Sequence, residues 1–435
     1  MKLKTSKPNA HDDWPRSVTG AEALQRQVGE LQSKLEIAQR AADDDRTWRD
    51  TRARLALATG RRRNRVLVFP MTGVNDYFKL IYQEFPRFDF DVVPVAEEAG
   101  LEGARPGDFV HFHWTKRVQS GCTTAEQARA ASTAWLERFR TLQERGVTVL
   151  WGVHEALPHE CPFPDVEQDF RQSLVDLVDI VQVLHPSTNT ALADLYQIPV
   201  DKTLVVPHPL YTGAQADHVS RAAARADLGF GSNDLLLLGL GSVRPYKGYE
   251  RVIRMLPSLQ AELGDRGIVF VIAGPAQWDP TVREYIGALE TEISLLPDPT
   301  AVRMSLGPVP GNHLQHLLRA ADVSVAPYRS GLNSGVLMMN LTFGVPTVIA
   351  SNEVTEDIAR YGPVVTFPPD DDEALRRALV DVSTSALPLT VYPGFVAANA
   401  PAVVSAAFAE HLRDHLWRGS TTTATLDLAT GATIT

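Results

Sequence analysis

Apolar and polar positions alternate in blocks from residue 65 onward. Short apolar runs at Val66–Phe69, Phe109–His113, Val147–Val153, Val178–Leu184 and Leu204–Val206 read as strands. Ala128–Arg145 carries the 3.6-residue period of a helix. A second series follows: Leu235–Leu238, Gly267–Ala273, Val302–Leu306, Asp322–Ala326, Pro346–Ala350 and Val364–Phe367. Most of these runs are apolar at consecutive positions, as expected for strands buried on both faces of a parallel sheet. Strands alternating with helices predict two α/β domains, each a parallel sheet. The polar residues collect where the apolar runs end: His113-Trp114, His154, His185 and His208 in the first series, Gly241-Ser242 and Tyr328-Arg329-Ser330 in the second. In open α/β sheets ligands bind at that edge, so a cleft between the two domains is the expected site.

The flanks differ in pattern. Leu24, Val28, Leu31, Leu35, Ala38 and Ala42 alternate four and three apart behind the capping box Thr19-x-x-Glu22. Residues 20–42 thus read as a short coiled-coil seam, expected either to pair with a second copy or to pack on its own domain. Arg49, Arg52, Arg54, Arg61, Arg62, Arg63 and Arg65 follow with Asp50 as the only acid among them. Arg49–Arg65 reads as a solvated linker or as a contact to an anionic membrane surface. Val403–Trp417 reads as a closing helix, and the Thr-rich stretch after it as a mobile tail. The expected organisation is 1–63 helical extension, 64–212 first domain, 213–390 second domain, 391–418 closing helix and 419–435 tail.

Composition narrows the function classes. The chain has 435 residues, 44% of them hydrophobic, and a net charge of −10, which argues against a general nucleic-acid binder. Cys122 and Cys161 are the only cysteines and lack ligand spacing, so neither a disulfide framework nor a zinc site is expected. No apolar run is long enough to cross a bilayer, and none follows Lys2, Lys4 and Lys7. The expectation is a cytoplasmic protein that can also work at the inner face of the membrane.

Candidate chemistry centres on Leu235–Arg251. A buried strand runs into Gly239, Gly241 and Ser242, then Arg244 and Lys247, then Gly248 at the start of a helix. Small residues let the backbone approach a ligand, and two cations beside a helix N-terminus suit a diphosphate. Ser334 and Gly335 open another helix in a glycine- and hydroxyl-rich loop and add backbone N–H donors at the same edge. Each is also compatible with plain capping. Asp370-Asp371-Asp372 precedes Glu373-Ala374-Leu375, where acids cap a helix, so no metal site is assigned.

These motifs resemble nucleotide-sugar-dependent glycosyltransferases of the GT-B fold, among them bacterial transferases that build glycolipids and exopolysaccharides. The resemblance rests on Gly241-Ser242-x-Arg244-x-x-Lys247-Gly248, Gly307-x-Val309, Pro327-Tyr328-Arg329 and Gly344-x-Pro346-x-Val348. In the first domain it rests on His111-x-His113-Trp114 and Trp151-Gly152-Val153-His154-Glu155-x-x-Pro158-His159-Glu160. It implies a fold of two Rossmann-like domains facing a cleft and a hexose moved from a nucleotide diphosphate sugar to a hydroxyl of a lipid-linked or saccharide acceptor. Neither a cofactor nor a metal is implied. Donor contacts would come from Gly241, Ser242, Arg244, Lys247, Gly307, Ser334 and Gly335. The acceptor side would involve Gly73, Asn75, Tyr77, His113, His159 and Glu160. The resemblance gives Arg244 and Lys247 the leaving diphosphate; for a general base, His154, Glu155 and Glu160 are open candidates. Two family glutamates are replaced by Gly331 and Met339. A sugar-nucleotide epimerase or phosphorylase on the same two-domain scaffold stays open, and that departure keeps open a non-catalytic partner subunit.

Overall fold

The computed structural model describes residues 63–71, 75–158, 160–276, 280–384 and 390–418, and the short pairs 425–426 and 433–434. The coiled-coil seam, most of the arginine cluster, Gly73, His159 and most of the C-terminal tail lie outside the described residues. From Arg65 on, the chain forms one unit built around two sheets.

The first sheet has six strands: β1 (Asn64–Phe69), β2 (Phe90–Pro94), β3 (Phe109–Phe112), β4 (Thr148–Val153), β5 (Ile180–Val183) and β6 (Thr203–Val205), in the order β2-β1-β3-β4-β5-β6. The second also has six: β7 (Leu235–Leu240), β8 (Ile268–Ala273), β9 (Val302–Ser305), β10 (Val323–Ala326), β11 (Thr347–Ala350) and β12 (Val364–Phe367), in the order β12-β11-β10-β7-β8-β9. Pairing is parallel from β1 through β3, β4 and β5 to β6, and throughout the second sheet. The central strands β3, β4, β5, β7 and β10 are buried along nearly their whole length, which is why they read as continuous apolar runs.

Helices cover both sheets. In chain order the ones that matter here are α1 (Asp76–Tyr82), α2 (Ala125–Glu144), α3 (Pro164–Leu177), α4 (Tyr249–Leu263), α5 (Gly335–Phe343), α6 (Glu353–Ile358), α7 (Asp372–Thr384) and α8 (Pro401–Arg418). Helix α2 shows how sequence fixes them. Thr124 accepts a hydrogen bond from the Gln127 amide, and Ala128, Ser132, Trp135, Phe139 and Leu142 bury one stripe against the sheet. The helix stops before Gly146, whose φ of 78° leaves the helical region. Helix α8 returns to the first sheet, where Val404, Phe408, Ala409 and Leu412 share a core with Val66, Val68, Leu150 and Ile180.

In each sheet the strand order reverses beside its first strand: between β1 and β3, and between β7 and β10. Neighbouring crossovers there run to opposite faces, which leaves a crevice at the carboxyl ends of the strands. The loops bearing Asn75, His113-Trp114, Lys247 and Ser334 all leave strands beside these two points. Expected and observed strand ends differ by a residue or two, because terminal residues such as Gly267 and Asp322 carry the strand pattern without completing the ladder.

Candidate active site

A cleft of about 670 Å³ lies between the two switch points. The first sheet contributes Asn75, Tyr77, Trp114, His154, Glu155, Glu160 and His208; the second contributes Tyr246, Lys247, Tyr328, Asn333, Ser334 and Gly335.

On the second sheet, β7 ends at Leu240 and the chain turns through Gly241, whose φ is 101°. Pro245–Lys247 forms a short 3₁₀ turn, so Gly248 sits outside α4 in the left-handed region rather than as its first helical residue. A Cβ on Gly248 would lie 2.4 Å from the Pro327 carbonyl oxygen, so the turn packs directly on the loop after β10. That packing brings Lys247 to Tyr328, to whose hydroxyl Nζ donates at 2.8 Å, with Nζ also 4.1 Å from the ring centre. Ser334 caps α5 by accepting from the Leu337 amide, and Gly335 begins the helix. Gly335 faces Tyr211 and His208 closely, at 3.1 and 3.4 Å from where its Cβ would be.

On the first sheet, His154 follows β4. Its Nε2 is 2.8 Å from His113 Nδ1, and its ring stacks on Trp114 with centroids 4.7 Å apart. Asn333 from the second sheet donates to the His154 carbonyl at 3.1 Å. The loop after His154 is held from below by a buried ion pair. Arg171 on α3 donates to the carbonyls of Glu155 and Ala156 at 2.6 and 2.8 Å, while Glu167 accepts from its Nε at 2.9 Å. Thr115 and Gln119 complete the carboxylate's partners. Losing either charge would strand the other in the core.

Electrostatics separates the ionisable groups. Burial, with the nearby His111, His208 and Arg171, lowers the His154 pKa to about 3, so its ring is neutral at physiological pH. Burial lowers His208 to about 4. Glu155 moves the other way, to about 7, because burial outweighs the opposing Arg171 charge. A carboxyl that titrates near neutrality beside neutral imidazoles is suited to moving a proton.

Across the cleft mouth Arg244 pairs with the Glu160 carboxylate, which also meets Lys116 at 3.5 Å. Glu160 has a φ of 57°, a left-handed conformation uncommon for glutamate.

Residues 234–385, which carry the second sheet, match the family model of glycosyl transferases group 1. The chain has the GT-B fold, and its second domain is similar to group 1 glycosyl transferases. Among curated proteins, a D-inositol 3-phosphate glycosyltransferase of Thermobispora bispora is 26% identical over 204 residues. That match covers 46% of the chain and 46% of the relative, less than half of each. Among solved structures, Anabaena HepE with UDP and glucose superposes with a TM-score of 0.60 at 13% identity, over 81% of this chain and 99% of that one. A UDP-forming α,α-trehalose-phosphate synthase of Burkholderia vietnamiensis gives 0.55 at 13%, over 83% and 100%. At such identities the likeness establishes the fold.

Within the GT-B frame the sequence-derived residues separate. Asn75, Tyr77, His154, Glu155, Glu160, Lys247, Ser334 and Gly335 line the cleft. Gly241 stands behind Lys247, 3.5 Å from Nζ at its would-be Cβ, and Ser242 comes next in the turn. Gly307 is exposed beyond the end of β9 and outside the cleft lining. His113, expected on the acceptor side, is fully buried: both its ring nitrogens are taken by Tyr82 and His154, so it stands behind His154 and not against a ligand. Asp371 caps α7 through the Ala374 amide, and Asp372 pairs with Arg251. Among the described residues no His, Cys, Asp and Glu group is placed to hold a metal, and no helix is long and apolar enough to cross a membrane. Arg65, the last residue of the arginine cluster, is tied to Asp108.

Sequence reasoning missed Tyr211, Tyr246 and Asn333 as cleft residues. Tyr246 and Asn333 lie inside or beside the two donor-side motifs and could have been drawn from them; Tyr211 comes after Pro207-His208-Pro209 with no pattern of its own.

Proposed function

We propose that the protein transfers a hexosyl group from a nucleoside diphosphate sugar to a hydroxyl of a saccharide or lipid-linked acceptor, without a metal. The observation that carries this reading is the facing of two charge-specialised walls. On one, Lys247 stands beside the N-terminus of α5, with Arg244 on the same turn. On the other, His154 and Glu155 follow β4. Departure of a nucleoside diphosphate concentrates negative charge on the first wall, where a fixed cation and helix N–H groups stabilise it in place of a divalent ion. The acceptor hydroxyl must lose a proton on the second wall, and Glu155 at about 7 is the group able to take it near neutrality. UDP is the donor head group tried first, because HepE was solved with UDP and glucose. The replacement of the family glutamates by Gly331 and Met339 favours one second reading, a non-catalytic subunit that still binds nucleotide. The arginine cluster at Arg49–Arg65 would serve a lipid-linked acceptor by holding the protein to an anionic membrane surface.

The test is a panel of nucleotide sugars incubated in EDTA with sugar and lipid-phosphate acceptors, alongside calorimetric binding of UDP. We expect turnover with at least one donor, and a loss of roughly a hundredfold or more in kcat for Lys247→Ala, as for other groups aimed at transition-state charge. UDP binding without turnover on any donor would leave the non-catalytic reading. Turnover that disappears in EDTA and returns with Mg²⁺ would refute the metal-independent mechanism.

A further inference from the structure

Five rings follow one another along the first-sheet side of the cleft. Trp114 stacks on His154 with centroids 4.7 Å apart, His154 meets Tyr77 at 5.2 Å, Tyr77 meets His208 at 5.1 Å and His208 meets Tyr211 at 5.6 Å. The two ends of this band differ. At one end the Tyr211 amide donates to Thr342 Oγ1 on α5 at 2.9 Å, and the Tyr211 hydroxyl and His208 Nε2 close over Gly335 at the start of that helix. At the other end Trp114 is half-buried, backed by Phe78 at 5.5 Å, and shares its part of the cleft with His154 and Glu155. The band carries no positive charge. Burial lowers His154 to about 3 and His208 to about 4, so both imidazoles are neutral at physiological pH. Lys247, on the opposite wall, is the only Lys or Arg among the described residues that line the cleft. Lys116 and Arg244 reach its mouth, and there both meet the Glu160 carboxylate. The charge that the first-sheet lining can carry is negative, on Glu155 and Glu160.

We infer that the reacting unit of the acceptor is an unphosphorylated sugar ring, seated against Trp114 beside Glu155. The inference deepens the proposed transfer reaction and rests on it for the division of the cleft into donor and acceptor ends. The diphosphate belongs at Lys247 and the N-terminus of α5, so the hexose attached to it lies toward the Tyr211 and His208 end. The acceptor hydroxyl has to come within reach of Glu155, which places its ring at the Trp114 end. One face of a pyranose is a set of C–H groups, apolar and weakly positive, and the negative face of an aromatic ring is its match. Its hydroxyls remain at the rim for the few polar groups of the lining. Tyr77 is a poorer seat, since only 4% of it is exposed. A phosphate on the acceptor ring would exchange water for a lining that offers it no cation, and would stand against the Glu155 and Glu160 carboxyl groups.

The test reads binding apart from turnover. Saturation-transfer difference NMR is run on the full chain, with and without UDP, against a panel of methyl hexosides and the matching hexose 6-phosphates. We expect at least one methyl hexoside to receive saturation on its ring protons, and the 6-phosphates to receive none. Trp114→Ala should abolish that signal and Trp114→Phe, which keeps an aromatic face, should retain part of it; thermal melting confirms that both variants fold, and UDP affinity by calorimetry should match the wild type. On a donor that the wild type turns over, Trp114→Ala should raise the acceptor KM by roughly tenfold or more with the donor KM unchanged. A hexose 6-phosphate bound or used in preference to the methyl hexosides overturns the inference, as does saturation of no methyl hexoside at all. A folded Trp114→Ala that raises the donor KM and leaves the acceptor KM alone also overturns it, since the ring would then seat the donor. Trp114-dependent sugar binding by a chain inactive on every donor would support the sugar seat and count against the transfer reaction alone.

Discussion

Glu155 is the residue whose environment most alters its chemistry. Burial lifts its pKa from 4.5 to about 7. A raised carboxyl pKa stabilises the folded state fully below the unfolded value, and that contribution is lost as pH rises through 7. At pH 8 the wild type therefore carries the cost of an ionised, half-buried carboxylate. Glu155→Gln should be more stable than the wild type by on the order of 2 kcal/mol at pH 8 and indistinguishable from it near pH 4.5, which urea titrations at the two pH values would check. The histidines have the opposite sign. Their depressed values stabilise the fold above about 6.5, and that stability is lost as pH falls toward 3. If Glu155 takes the acceptor proton, kcat should climb through pH 7 in the wild type, and Glu155→Gln should abolish that limb. A pH–rate profile that keeps the limb in the variant would move the base elsewhere.

At the scale of elements, helix α8 packs over the buried histidines of the first domain, with the Phe408 ring 5.6 Å from that of His111. Phe408 is 1% exposed and packs edge-on against Phe85 at 5.2 Å, tilted against Tyr82 at 6.2 Å. A phenylalanine in such a site is worth several kcal/mol through transfer and cavity terms together. Phe408→Ala should cost about 3–5 kcal/mol, read as a lowered urea midpoint with unchanged slope. A loss under about 1 kcal/mol would mean that α8 is not part of the cooperative core.

At the scale of the whole molecule, contacts cross the cleft from both sides. His185 meets Asp357 at 3.2 Å, Asn333 holds the His154 carbonyl, and Glu160 pairs with Arg244. The last of these sets a carboxylate against a cation that the proposed function assigns to a diphosphate. Glu160 and a phosphate then compete for one guanidinium. Removing the competitor should tighten UDP binding by up to about fivefold in Glu160→Ala, the worth of a solvent-accessible ion pair of about 1 kcal/mol. The gain should shrink in high salt, where both interactions are screened. Calorimetry showing weaker UDP binding in the variant would instead make Glu160 part of the nucleotide site.

The sequence by itself determined the two parallel sheets and the edge at which their polar residues collect. Continuous apolar runs such as Leu235–Leu238, too short for a helix and closed by glycine, read as strands covered on both faces, and the polar residues that end them are left at the carboxyl edge. It also determined the turn with Lys247 and the cap at Ser334, because glycine, hydroxyl and cation spacing are local properties of the chain. Tertiary structure alone decided the rest. Tyr82 reads as one more aromatic on a buried helix face, and Gln182 as an oddity in an apolar strand. Both come to His111 only in the folded chain, where β3, β4 and β5 lie side by side, with His111 in register with Leu150 and Gly152 with Gln182. Glu160 and Arg244, 84 residues apart, pair only because the chain folds two sheets toward one cleft. Periodicity reports which face of a strand is buried, whereas strand order and the facing of two sheets arise from non-local packing that no local pattern encodes.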